Sequence, residues 1–176
     1  MRTLTTVLVT GLAALAFTAC GGNNDSGTTP TPTPTPQEPN VFIDNSNKLM
    51  WQDDALAKTT TKPWLETAQM TACNDDQTSG ACTNTSGDTA ATFCTDMALN
   101  SHTDWRLPTS DELKFLYSAH ALALKNDIRE YYWTSTSFDL SAKNAYSVKG
   151  HEGGGGATSV TKLKSDSLYV RCVRGI

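Results

Sequence analysis

Asp104-Trp105-Arg106-Leu107-Pro108-Thr109-Ser110-Asp111-Glu112-Leu113 decides how the folded part of this chain is organised. Pro108 sits just ahead of a helix start. Thr109 and Glu112 have the spacing at which a hydroxyl and a carboxylate cap each other's backbone amides. Leu113, Leu116, Tyr117, Ala121 and Leu124 then recur at helical spacing and form one apolar stripe. Upstream, Val41-Phe42-Ile43 and Leu49-Met50-Trp51 flank five polar residues, the pattern of a β-hairpin. Between hairpin and quoted stretch the sequence predicts a helix from Pro63 to Ala72, with the proline at its first position. A polar loop from Asn74 to Gly87 follows, then a helix from Asp88 to Leu99. Ala90, Phe93, Cys94, Met97 and Ala98 make that helix's apolar face.

Downstream come three strand-like pieces, Tyr131 to Ser137, Ala145 to Lys149 and Leu168 to Arg174. His151-Glu152 and the glycines Gly153 to Gly156 separate the last two as a loop. No helix follows these glycines, which excludes a phosphate-cradling loop. The order hairpin, helices, strands predicts an α+β domain with a largely antiparallel sheet and two to three helices, not alternating βαβ units.

The chain has 176 residues, of which 38% are hydrophobic, and many of those lie in the first twenty. Val7 to Phe17 is an apolar run too short to span a bilayer but suited to the centre of an export signal. It ends in Phe17-Thr18-Ala19-Cys20, which resembles the lipobox of bacterial lipoproteins. The expectation is cleavage after residue 19 and acylation of Cys20. Gly21 and Gly22 in place of an aspartate favour the outer membrane over the inner one. Residues 20–40 form a stalk whose centre alternates Thr and Pro from Thr29 to Pro36. Polyproline II geometry would extend it to at most about 60 Å. The folded domain is therefore placed at residues 41–176.

Four cysteines remain, Cys73, Cys82, Cys94 and Cys172. Export to an oxidising compartment makes disulfides the expected state, and four cysteines allow three connectivities. Cys73 and Cys82 bracket one polar loop, so their pairing closes a short ring. Cys94 then ties a helix to the last strand at Cys172. The spacing lacks the close ligand pairs of a zinc site.

Formal charge is −4, which argues against a general nucleic-acid binder. It is unevenly spread. Residues 40–104 hold three basic and nine acidic side chains, residues 105–176 ten basic and seven acidic.

Five motifs carry a resemblance. They are Ile43-Asp44-Asn45 through Leu49-Met50-Trp51-Gln52, Phe93-Cys94, Asp104 to Thr109 with Glu112-Leu113, Tyr132-Trp133-Thr134-Ser135-Thr136, and Tyr169-Val170-Arg171-Cys172-Val173-Arg174. In this order they resemble the Lcl C-terminal domain family, named from a collagen-like bacterial surface adhesin that binds sulfated glycosaminoglycans. The adhesin's collagen-like repeats do not occur here. The resemblance implies a C-type-lectin-like fold, in which first and last strands meet and a helix cysteine bridges to the last strand. Trp51, Trp105 and Trp133 are expected in the core, and Arg106, Arg171 and Arg174 in ion pairs rather than at a ligand.

His102, His120 and His151 share no spacing that would make a catalytic or metal centre. The acidic pairs Asp53-Asp54 and Asp75-Asp76 are read as solvated loops rather than calcium ligands. No catalytic residue, metal or cofactor is expected. The ligand surface is placed on residues 138–166, at Lys143, Tyr146, Lys149, His151, Lys162 and Lys164, where an anionic glycan would meet salt-dependent attraction and a stacking face. The expected partners are the membrane, through the lipid anchor, and a glycan or surface-protein ligand. The alternative is a structural or assembly component of an envelope complex.

Overall fold

Asp44 turns the hairpin: its carboxylate accepts hydrogen bonds from the backbone amides of Ser46 and Asn47, at 3.0 and 3.1 Å. Lys48 then takes a left-handed conformation at φ 58°. The flanking strands, β1 (Val41–Asp44) and β2 (Leu49–Gln52), pair antiparallel as the sequence predicts. The computed structural model describes residues 39–75, 80–83, 85–150 and 156–176. The leader, Cys20, the Thr-Pro stalk, Asp76 and His151 lie outside the described residues.

Two sheets organise the domain. In the first, β2 lies between β1 and β8 (Val173–Gly175), so the beginning and end of the described chain meet. The second has five strands in the order β3 (Thr61–Pro63), β7 (Ser167–Tyr169), β4 (Tyr131–Ser137), β5 (Asn144–Lys149) and β6 (Ser159–Leu163). Its pairings are antiparallel except for one parallel contact, Tyr132 with Tyr169. Among the described residues, three α-helices, α1 (Thr67–Asp75), α2 (Ala90–Thr95) and α3 (Ser110–Ala119), complete an α+β domain.

The capping box at α3 forms as read: Thr109 Oγ1 accepts from the Glu112 amide, and Glu112 accepts from the Thr109 amide. Leu113, Leu116 and Tyr117 are buried along it. Ala121 and Leu124 reach the same apolar cluster from beyond the helix, which ends at Ala119.

Other boundaries differ. Pro63 ends β3 instead of starting a helix, and α1 begins four residues later. An edge strand tolerates a proline, because the missing amide faces no second neighbour. The second helix is shorter than predicted, ending at Thr95 with Asp96 as its cap, and beyond it Asn100 and Ser101 at φ 51° and 63° turn the chain back so that Leu99 bridges His102. The expected strand Leu168 to Arg174 is two strands in two sheets. β6 replaces what was expected to be loop.

Two apolar clusters flank the second sheet's strands. One gathers Trp64, Trp105, Trp133 and all four described cysteines. The other gathers Phe42, Trp51, Tyr132 and the apolar face of α3. Trp51, Trp105 and Trp133 are essentially unexposed, as their expected core role requires.

Candidate ligand-binding site

Three adjacent strands bring an aromatic ring and two ammonium groups together. Tyr131, the first residue of β4, is directly opposite Lys149 on β5. Lys162 lies on β6, opposite Ala145. The Lys162 ammonium is 4.4 Å from the centroid of the Tyr131 ring and that of Lys149 is 5.9 Å away. Residues paired across antiparallel strands share a face, as do residues two apart along a strand. Tyr131, Lys149 and Lys162 therefore form a cationic strip on one side of the sheet, held at partly exposed positions by the backbone ladder. β6 is the outer strand of that sheet, where a lysine also discourages further strand pairing.

The expected ligand residues divide on this framework. Lys149 and Lys162 belong to the strip. Tyr146 does not: it has the opposite parity on β5, and its ring packs edge-on against Phe138 at 5.5 Å. The aromatic beside the lysines is Tyr131, which sequence reasoning placed in a strand without a role. Lys143 precedes β5, with its backbone carbonyl accepting from the Lys164 amide at 2.8 Å. His151 lies outside the described residues.

Lys164 departs most from expectation, being only 1% exposed. Its carbonyl accepts from the amides of both Trp64 and Leu65, which seats it inside the junction between the β6–β7 turn and β3. Its ammonium donates to the Cys82 carbonyl at 2.6 Å and to Ser137 Oγ at 3.0 Å. Burial pushes the amine down to about 8.

The cysteines pair as read, Cys73 with Cys82 and Cys94 with Cys172. Arg106, Arg171 and Arg174 are in ion pairs, as expected. Arg106 meets Glu112, whose carboxyl is held below its ordinary range by that hydrogen bond. Arg174 meets Asp104, and the fully buried Arg171 lies between Asp53 and Asp127. Asp53 is accordingly a buried structural group: it accepts from the amides of Lys125 and Asn126, both at 2.8 Å. Asp54 caps a single 3₁₀ turn, Ala55–Lys58. Among the described residues no cluster of three His, Cys, Asp or Glu side chains has metal-binding geometry. His120 packs between Phe42 and Phe115.

Fold and strip together define a disulfide-stapled α+β domain that carries an aromatic-cationic face on a rigid sheet. The model of the Lcl C-terminal domain family matches residues 40–174, and the chain belongs to that family. A search of the curated proteins found no match.

Proposed function

We propose that this chain is an envelope lipoprotein, anchored through Cys20 at the outer membrane, whose domain binds an anionic glycan without catalysing a reaction on it. The observation that carries the ligand class is the Tyr131 ring beside the Lys149 and Lys162 ammonium groups. Two cations on fixed strands attract sulfate or carboxylate groups, and the aromatic ring offers an apolar face to a sugar. Membership of the Lcl C-terminal domain family supports surface display. The meeting of β1, β2 and β8, together with the Cys94–Cys172 bridge, supports the C-type-lectin-like reading of the fold. The apolar run Val7 to Phe17 and the residues Thr18-Ala19-Cys20 support lipidation, and two or three acyl chains would anchor the protein firmly.

The test is heparin chromatography of the full chain in detergent, with a salt gradient. The parent is expected to be retained, and the Lys149→Gln/Lys162→Gln variant to elute at markedly lower salt with unchanged thermal stability. Equal retention of the two would overturn the glycan reading and favour a protein partner. Intact-mass analysis of the membrane-extracted protein tests the anchor: acyl chains on Cys20 are expected, and an unmodified soluble form would refute it.

A further inference from the structure

We propose a second binding site, for a neutral saccharide, in the groove between α2, the start of α3 and the far end of β4. The groove has a volume of about 600 Å³, within the range of sites that enclose small ligands. It shares no lining residue with the cationic strip. Trp64, Ala91 and Leu107 supply apolar lining. The Trp64 ring is fixed there because its Nε1 donates to the Thr134 carbonyl at 2.9 Å.

Apart from Arg106 the polar lining consists of hydroxyls, and existing bonds show what three of them still offer. A hydroxyl has one donor and two acceptor sites. Thr109 Oγ1 accepts from the Glu112 amide, and Ser137 Oγ accepts from Lys164, so both keep a hydrogen to donate. Ser135 Oγ donates to the Pro108 carbonyl and keeps its acceptor sites. Thr83, Thr85 and Thr95 add further hydroxyl side chains to the lining.

Charge decides the ligand class. Among the described lining residues only Arg106 is charged. Its guanidinium is already bound by both Glu112 oxygens, at 2.7 and 2.8 Å, and donates to the Leu107 carbonyl. Arg106 is thus already neutralised, and no other described lining residue carries a charge. A neutral sugar matches each feature: ring hydroxyls both donate and accept, and the C–H face of the ring suits the apolar lining.

Saturation-transfer-difference NMR on the full chain in detergent, with maltotriose, cellotriose and tri-N-acetylchitotriose as separate probes, tests the site. At least one trisaccharide is expected to give ring-proton signals that persist at high salt and in the Lys149→Gln/Lys162→Gln variant. Loss of heparin binding alone would therefore leave this site intact. Thr95→Tyr fills the groove from the exposed last residue of α2 and should abolish the signals. Thr85→Val preserves shape but removes a hydroxyl, and should weaken them. No signal from any of the three sugars, or signals unchanged in Thr95→Tyr, would overturn the proposal.

Discussion

The ammonium of Lys164 lies 4.2 Å from the centroid of the Trp64 indole while it donates to the carbonyl of Cys82. One buried cation thus joins three separate pieces of chain: the small disulfide ring, β4 through Ser137, and the start of the segment that leads into α1. An aromatic face and two acceptors compensate for the water the charge has lost.

Lys164→Ala should cost about 1–3 kcal/mol, since the buried Cys82 carbonyl loses its donor, whereas Lys162→Ala should change stability little. The pH dependence is sharper evidence. An unfolded lysine titrates near 10.5, the native Lys164 near 8. Between those values the unfolded chain holds more protons than the native one, so stability rises with pH across that window. The rise due to Lys164 should reach about 2 kcal/mol by pH 9.5 and fade out below about pH 7. Denaturant unfolding of parent and Lys164→Met at pH 7, 8 and 9.5 measures it as the difference between the two proteins. An identical pH profile for both would contradict it.

Which parts of this were legible in the sequence follows from how local their causes are. The capping box of α3 and the Asp44 turn are made by residues three apart or fewer, and both were readable. The break between β7 and β8 is not local. Residues 168–174 read as one apolar strand, but the chain leaves one sheet for the other between Tyr169 and Val173. There the Val170 amide donates to the Thr60 carbonyl, and the Cys172 amide to Gln52 Oε1. Those acceptors are more than a hundred residues away, and nothing in the segment itself announces them. How the side chains of residues 138–166 are distributed is non-local for the same reason. Sequence showed a basic stretch, but strand parity separates Tyr146 from Lys149, and tertiary bonds bury Lys164. The β6 strand, Ser159–Leu163, has no strongly apolar face because it is an outer strand with mostly half-exposed side chains.

Arg171 is predicted to matter more for stability than any surface charge. It is fully buried, donates to the Gln52 carbonyl at 2.6 Å and to the Asn126 carbonyl, and lies 5.5 Å from the Tyr132 ring centroid. Arg171→Met leaves Asp53 and Asp127 without their cation, which should cost about 3–5 kcal/mol. Combining it with Asp53→Asn should cost clearly less than the two single changes added together, because they share one network. Urea unfolding of the four proteins checks this, and strict additivity would count against the network.

The two disulfides should differ in worth. Cys94–Cys172 spans 78 residues of sequence and Cys73–Cys82 only 9. In the chain-entropy treatment these loops correspond to about 4.5 and 2.6 kcal/mol. Replacing both cysteines of the long loop with alanine should therefore lower the urea midpoint more than the same change in the short ring. A larger effect from the short ring would point instead to the packing of its residues around Lys164.

Gly150 is the one described glycine where a side chain meets backbone head-on. A Cβ there would stand 2.1 Å from the Ile128 carbonyl oxygen, and the Gly150 amide is meanwhile fixed to the Glu130 carbonyl at 2.8 Å. Backbone cannot swing aside as a side chain can, so one of the two segments must move. Ile128 lies two residues from Asn126, whose carbonyl accepts from Arg171, so the shift would strain the buried arginine network as well. Gly150→Ala should cost about 1–3 kcal/mol, the usual range for overpacking, and lower Tm by several degrees. Gly156→Ala is the matched control, since a Cβ there meets nothing within 4 Å. Thermal unfolding followed by circular dichroism decides it: equal Tm values for the two variants would show that the Ile128 segment yields freely.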